Sequence, residues 1–228
     1  MQLPSERITF FIDVLGFSDA IARCEEDPSW INPIVELVKR MKRQCTDVPS
    51  NLFAAQDLEV TAISDSIVIS VPKGNLNDEF GLRWNYICTA VSTFMAESCL
   101  SGWLMRGAVS VGWLHHKGDT VFGRGLSEAY KSETKVAVYP RLIVHPSVIE
   151  KLGDGCIQYR DRDGQYVIDW ILSGSKNNEQ LKALGEKIEE MLKKKIDSGA
   201  SVGVLQKYFW LANTYNERVD ATVYQISV

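Results

Sequence analysis

Two aspartates occupy positions where a carboxylate is costly unless something neutralises it. Asp13 ends the apolar run Arg7 to Val14 (RITFFIDV) and faces the glycine turn at Gly16. Asp65 sits at the tip of a tight turn, Ser64-Asp65, between two β-rich runs, Leu58 to Ile63 and Ser66 to Val71. Each has an ordinary explanation. Asp13 could cap the following helix, and Asp65 could be a turn former. Taken together they say more, because the two strands can lie side by side and bring both carboxylates to one sheet edge. Such a pair repels itself unless a cation lies between its members. Hard divalent ions bind through one or two carboxylates plus substrate phosphate oxygens. The turn Val14-Leu15-Gly16-Phe17, just before a helix, offers backbone N–H groups for a phosphate.

The elements that must hold these residues follow from periodicity. Arg7 to Val14 reads as a buried strand, and Ser18 as the N-cap of a helix carrying Ala20, Ile21 and Cys24. Trp30 to Cys45 and Phe80 to Leu100 have helical spacing, and Leu104 to Trp113 is β-rich. Gly123 to Lys131 reads as a short helix and Val136 to Val144 as a strand stopped by Pro146. The order through residue 145 is therefore β-α-α-β-β-α-β-α-β. This suits an α+β, ferredoxin-like mixed sheet backed by helices. Residues 146–228 form a C-terminal α/β extension packed on the same domain. It holds a hairpin (Cys156 to Arg160 with Gln165 to Ile171) and helices over Asn178 to Ile196 and Val202 to Tyr215.

Composition narrows the functional classes. The chain has 228 residues, 45% of them hydrophobic and 24% charged, which is ordinary globular usage. Its net charge of −4 argues against a nucleic-acid sheath, though not against a small anionic ligand. No apolar run is long enough for a membrane helix, and the start of the chain does not read as a signal peptide. Five scattered cysteines with no C-x-x-C point to a reducing cytoplasm. His115 and His116 read as residues of a polar loop with no third ligand nearby. Trp103, Trp113 and Trp210 read as core or dimer contacts.

The residues also carry a family resemblance. Phe11-Ile12-Asp13-Val14-Leu15-Gly16-Phe17-Ser18 resembles the first metal segment of class III nucleotidyl cyclases, and Ile63-Ser64-Asp65 resembles their second. Met105-Arg106-Gly107-Ala108-Val109-Ser110-Val111-Gly112 and Val121-Phe122-Gly123-Arg124-Gly125-Leu126-Ser127-Glu128-Ala129-Tyr130-Lys131 resemble the next two motifs, in order. Residues 1–145 would then be the cyclase catalytic core. The stretch Arg106 through Glu133, with Ala137-Val138-Tyr139-Pro140-Arg141 and the later Trp210 to Asn216, is similar to the pyrimidine cyclases of Pycsar antiphage systems.

That resemblance implies conversion of UTP, or less readily CTP, to a 3′,5′-cyclic monophosphate and pyrophosphate. It implies two Mn²⁺ or Mg²⁺ ions held by Asp13, Asp65 and the Val14 main chain, and triphosphate contacts from Leu15, Gly16 and Phe17. Lys131 stands where the family keeps a transition-state arginine, and Ser127 where it keeps an asparagine. Lys is a point charge rather than a bidentate fork. Thr61 and Thr120 fall where purine cyclases choose their base. Phe53 and Arg106 are further substrate-side candidates, Phe53 more readily a core residue than a base-stacking one and Arg106 equally half of a structural ion pair. A homodimer with shared sites, and an effector protein reading the cyclic product in antiphage defence, complete the implication. The alternatives are a purine cyclase or a catalytically silent nucleotide-binding sensor.

Overall fold

The computed structural model describes residues 5–43, 57–75, 77–152 and 158–228. Phe53, Cys45 and Cys156 lie outside the described residues. Strand β1 (Ser5–Val14) sends alternate side chains to opposite faces of the sheet. Ile8, Phe10, Ile12 and Val14 enter the main core, while Arg7, Thr9, Phe11 and Asp13 face the other way. Its neighbours repeat the pattern. In β3 (Ser66–Pro72), Ile67, Ile69 and Val71 are core, and Ser66, Val68 and Ser70 are opposite. In β4 (Met105–Lys117), Val109 and Val111 are core, and Arg106, Ala108 and Ser110 are opposite.

The sheet order is β2-β3-β1-β4-β6-β8-β7, with β2 at Glu59–Ile63, β6 at Leu142–Val144, β7 at Gln158–Arg160 and β8 at Tyr166–Ile168. A short strand β5 (Thr120–Gly123) pairs with the far end of β4. Among the described residues only β4 and β6 run parallel; every other pairing is antiparallel. The apolar face lies under helix α3 (Asn77–Leu100), whose Trp84, Ile87, Val91 and Phe94 are fully enclosed. The polar face carries helix α4 (Arg124–Val136) over a much smaller cluster of Ala108, Ala137, Ile143 and Val167.

Helices α1 (Phe17–Glu26) and α2 (Ile31–Arg43) connect β1 to β2 through a short 3-10 turn at Pro28–Trp30. Beyond β6 come α5 (Pro146–Leu152), α6 (Trp170–Ser173), α7 (Asn178–Asp197) and α8 (Val202–Arg218). This part is tied to the central sheet through Arg141, which is buried and ion-paired with Asp161 and Asp163. The Trp170 indole N–H also donates to the Pro140 carbonyl at 3.0 Å.

Several expectations need correction. Ser18 is not the N-cap of α1. The helix begins at Phe17 and its cap is Gly16, left-handed at φ +75, a conformation glycine adopts without a Cβ penalty. The strand expected over Val136–Val144 is confined to Leu142–Val144, because Val136 closes α4. β4 runs on to Lys117, so His115 and His116 stand on a strand rather than in a loop.

The crossing of β1 and β4 has no room for another atom at Gly107. A Cβ there would lie 2.5 Å from the Phe11 carbonyl oxygen and 3.2 Å from the Ile12 Cα. Gly107→Ala must therefore push the two central strands apart. A loss of about 1–3 kcal/mol is expected, read as a lower urea midpoint; an unchanged midpoint would mean that the crossing yields freely.

Candidate active site

Asp13 pairs in register with Ser66 on one side and Arg106 on the other. The turn Ser64-Asp65 closes the β2–β3 hairpin beside it, with Ser64 at φ +55. The Val14 N–H donates to the Asp65 carbonyl at 3.1 Å, stitching the two aspartates' backbones together. The Ser66 hydroxyl donates to Asp13 Oδ1 at 3.2 Å. Burial first, and then the neighbouring charge of Asp65, raise the Asp13 carboxyl above its ordinary range. Two carboxylates thus meet at the end of the polar face.

Arg106 lies between two acids. Its Nε is 3.5 Å from Asp13 Oδ2 and 2.8 Å from Glu133 Oε1. Glu133 is buried on the inner face of α4, and burial raises its carboxyl despite the arginine. The pairing of Glu133 was not legible from local pattern, since its partner Arg106 lies on a different element. Arg106 therefore holds α4 against β4 and sets one side of the Asp13 carboxylate.

The turn after β1 supplies fewer free N–H groups than its sequence suggested. Val14 N–H goes to Asp65 and Leu15 N–H to the Leu104 carbonyl at 2.8 Å. Among the described residues no side chain, Asp13 included, caps α1 at Gly16. The first-turn N–H groups after Gly16 are thus left without a side-chain acceptor, and they carry the positive end of the helix dipole.

Ser127 and Lys131 lie one turn apart on the exposed side of α4. Neither makes a hydrogen bond or ion pair to Asp13 or Asp65. Thr61 and Thr120 come close in space through the tip of the β4–β5 hairpin. The Thr61 hydroxyl donates to the Gly118 carbonyl at 2.7 Å, and Thr120 closes that same turn opposite Lys117.

His116 is the residue the sequence reading most undervalued. It is buried, with Nδ1 2.8 Å from the Ser70 hydroxyl and Nε2 2.8 Å from the Thr61 hydroxyl. Arg7 Nε donates to the same Ser70 oxygen at 2.8 Å. A carbonyl can only accept, so Thr61 donates to Gly118 and takes the proton of His116 Nε2, and the burial that keeps the imidazole neutral leaves Nδ1 to accept from Ser70. The order is Arg7 to Ser70, Ser70 to His116 Nδ1, His116 Nε2–H to Thr61, and Thr61 to Gly118. The imidazole is neutral and carries its proton on Nε2. Burial, then the charges of Arg7 and His115, lower its pKa to about 4. Continued period-2 alternation past Trp113 was the available signal, since it puts His116 on the face of Arg106 and Ser110.

Among the described residues no group of three or more His, Cys, Asp or Glu gathers that could hold a metal ion. The Asp13–Asp65 pair nevertheless suits a hard divalent cation. It offers oxygen donors alone, and its mutual repulsion is what such an ion relieves; substrate phosphates and water supply the remaining ligands of Mg²⁺ in comparable sites.

The sequence matches no protein-family model and no curated protein. Solved structures do match. A dimeric guanylyl cyclase domain of the RhoGC fusion protein from the aquatic fungus Blastocladiella emersonii aligns with a TM-score of 0.52 at 11% identity, over 74% of this chain and 98% of that one. A monomeric double mutant of the same domain aligns with a TM-score of 0.50 at 13% identity, over 73% and 96%. The chain has a class III nucleotidyl cyclase-like fold. The expected mixed, helix-backed sheet is therefore borne out, and at this identity the likeness speaks for fold alone. Among the described residues no helix is long and apolar enough to cross a membrane.

The His116 chain makes stability depend on pH with a definite sign. The unfolded imidazole titrates near 6.5 and the folded one near 4, so the unfolded state binds more protons between those values. Its contribution should be complete above pH 6.5 and lost as pH falls through 4. Asp13 and Glu133, whose folded pKa values are raised, act in the opposite sense. Urea denaturation of wild type and His116→Gln at several pH values isolates the histidine. A variant losing stability on acidification as steeply as wild type would contradict the neutral, buried assignment.

Proposed function

We propose that the chain is a nucleotidyl cyclase, converting a nucleoside triphosphate to its 3′,5′-cyclic monophosphate and pyrophosphate. The observation that carries this reading is the meeting of Asp13 and Asp65 beside the uncapped N-terminus of α1. In this reading Asp13, Asp65 and the Val14 carbonyl hold two Mn²⁺ or Mg²⁺ ions. When bound, such ions acidify the ribose 3′-OH and neutralise the triphosphate. The first turn of α1 at Gly16 and Phe17 receives a phosphate through backbone N–H groups. The ribose 3′-oxygen forms a bond to the α-phosphorus in line with the breaking bond to the β-phosphate oxygen, and pyrophosphate leaves. Positioning and charge stabilisation supply most of the rate in such a transfer.

Lys131 is assigned to the leaving oxygens and Ser127 to the ribose, both from the partner of a homodimer. Their exposure, and their lack of any bond to their own chain's acid pair, support assignment in trans. So does exposed apolar surface in the acid hairpin itself, where Ile63 is 58% exposed. Arg106 is a positioning residue, orienting Asp13 while it neutralises Glu133.

For the base we propose a pyrimidine, uracil before cytosine, on the strength of the motif resemblance. Thr120, exposed at the tip, would meet its edge, and Thr61, buried with its hydroxyl shared between His116 and Gly118, would hold that tip in place. A role for the product as a messenger read by an effector protein in antiphage defence belongs to the same resemblance. A purine substrate is the second reading, favoured by the two guanylyl cyclase domains whose fold this chain shares. Turnover of ATP, GTP, UTP and CTP, each assayed with Mn²⁺, decides between them. Preference for ATP or GTP in kcat/KM rejects the pyrimidine assignment, and no turnover of any rejects the cyclase.

Two variants test the chemistry itself. Asp65→Ala should abolish turnover with the melting temperature nearly unchanged, because a turn-tip carboxylate packs little and its removal relieves repulsion on Asp13. Turnover at the wild-type rate would remove Asp65 from the site. Mixing Asp13→Ala with Lys131→Ala subunits should restore activity, since each heterodimer then holds one intact site. No recovery between subunits that demonstrably exchange would mean that the site is not shared.

A further inference from the structure

A second cavity, of about 500 Å³, opens between α1, the 3-10 turn, the α3–β4 connection, α7 and α8. None of Asp13, Asp65, Ser127 or Lys131 lines it, although Leu15 and Gly16 do. Its volume is in the ordinary range for small-molecule sites.

Its lining is unusual for an acidic protein. Four cations and two carboxylates face the space, leaving two positive charges in excess. Glu190 accounts for two of the cations, with Lys187 at 2.9 Å and Lys194 at 2.6 Å. Those paired lysines hold its carboxyl down to about 2. The other two cations lie on aromatic rings instead of carboxylates. The Arg23 guanidinium is 5.0 Å from the Trp30 ring centre, and Lys195 Nζ is 5.8 Å from that of Tyr208. Neither has a carboxylate within ion-pair distance among the described residues. Trp103 adds a third ring to the wall.

We propose that this cavity binds a planar aromatic anion of the size of a nucleoside monophosphate. Three rings line the wall for stacking, and Arg23 and Lys195, each lying over one face of a ring, serve as counter-ions. A guanidinium already lying over a ring can keep that contact while its N–H groups donate to an anionic oxygen in its own plane. A bare inorganic anion would leave the rings unused, and a neutral ring would leave the two cations without partners. Leu15 and Gly16 form part of the wall, so the ligand would rest against the segment that follows Asp13. Binding is read without turnover, so this site stands or falls separately from the cyclase reading.

Calorimetric titration of the full chain with UMP and with AMP, in EDTA to suppress any metal-dependent binding at the acid pair, tests the proposal. Saturable binding of at least one nucleotide is expected, and it should persist in Asp65→Ala. Arg23→Gln and Lys195→Gln should each weaken it by about tenfold. Arg23 is exposed and Lys195 half-buried, and neither has an ion-pair partner among the described residues, so the variants should melt close to wild type. Three results would overturn the assignment. One is no saturation by either nucleotide; another is affinity unchanged in the double variant. The third is inorganic phosphate binding as tightly as the nucleotides, which would reduce the cavity to a patch of charge.

Discussion

Strand β1 cannot slip by one residue, and most of the molecule depends on that. It lies between β3 and β4, with four apolar side chains in the main core and Arg7, Thr9, Phe11 and Asp13 on the opposite face. A shift of one position would drive an arginine and an aspartate under α3 and put Ile8 and Phe10 among polar groups. The register places Asp13 between Ser66 and Arg106, and the adjoining turn brings Asp65 alongside. The same alternation puts Arg7 within reach of Ser70 at the strand's other end. Candidate chemistry and buried polar chain thus occupy the two ends of one face.

That face carries charge at a cost. Arg106, Asp13 and Glu133 form a partly enclosed group of one cation and two anions, and burial pushes both carboxyls upward. Such an arrangement is a poor source of stability, because desolvation offsets much of the attraction. Its value lies in geometry. Arg106 joins α4 to β4, so the helix bearing Ser127 and Lys131 and the strand facing Asp13 keep a fixed relation. The Arg7–Ser70–His116–Thr61 chain does the same for the β4–β5 hairpin, with every donor matched to an acceptor. A fully satisfied buried network confers rigidity that an unmatched one lacks.

What could be read from sequence was whatever repeats locally. The apolar run at Ile8 to Val14, the two-residue turn at Ser64-Asp65 and the helical spacing of Ile87, Val91 and Phe94 each report their own environment, and each forms the expected element. Asp13 and Asp65 were legible as a pair because two strands and a tight turn leave few ways to arrange them. The rest depended on contacts between distant segments. β5 is only four residues long and exists because β4 continues past Trp113. His116 looked like half of an exposed dipeptide because its partners Ser70 and Thr61 are some fifty positions away. Glu133 shares the inner face of α4 with Gly125 and Ala129 at four-residue spacing, but that spacing does not show that a cation on another strand meets it there. The cavity beside Trp30 draws on five separate elements, and no local pattern could assemble it.

The pairing of β1 with β4 also sets an order of events during synthesis. Ser5 lies opposite Leu114 and Val14 opposite Met105, so β1 leaves the ribosome about a hundred residues before its second partner. At roughly 5–20 residues per second, the delay is on the order of 5–20 s. For that time one edge of an apolar strand can be covered by β3 and the other has nothing to bond, a state open to association with other nascent chains. Until β4 arrives, Asp13 also lacks Arg106. Its carboxylate then remains in water, where it hinders edge-to-edge association at that end of the strand. The aspartate that the finished protein holds at its candidate active site would thus already protect the unfinished one from aggregation.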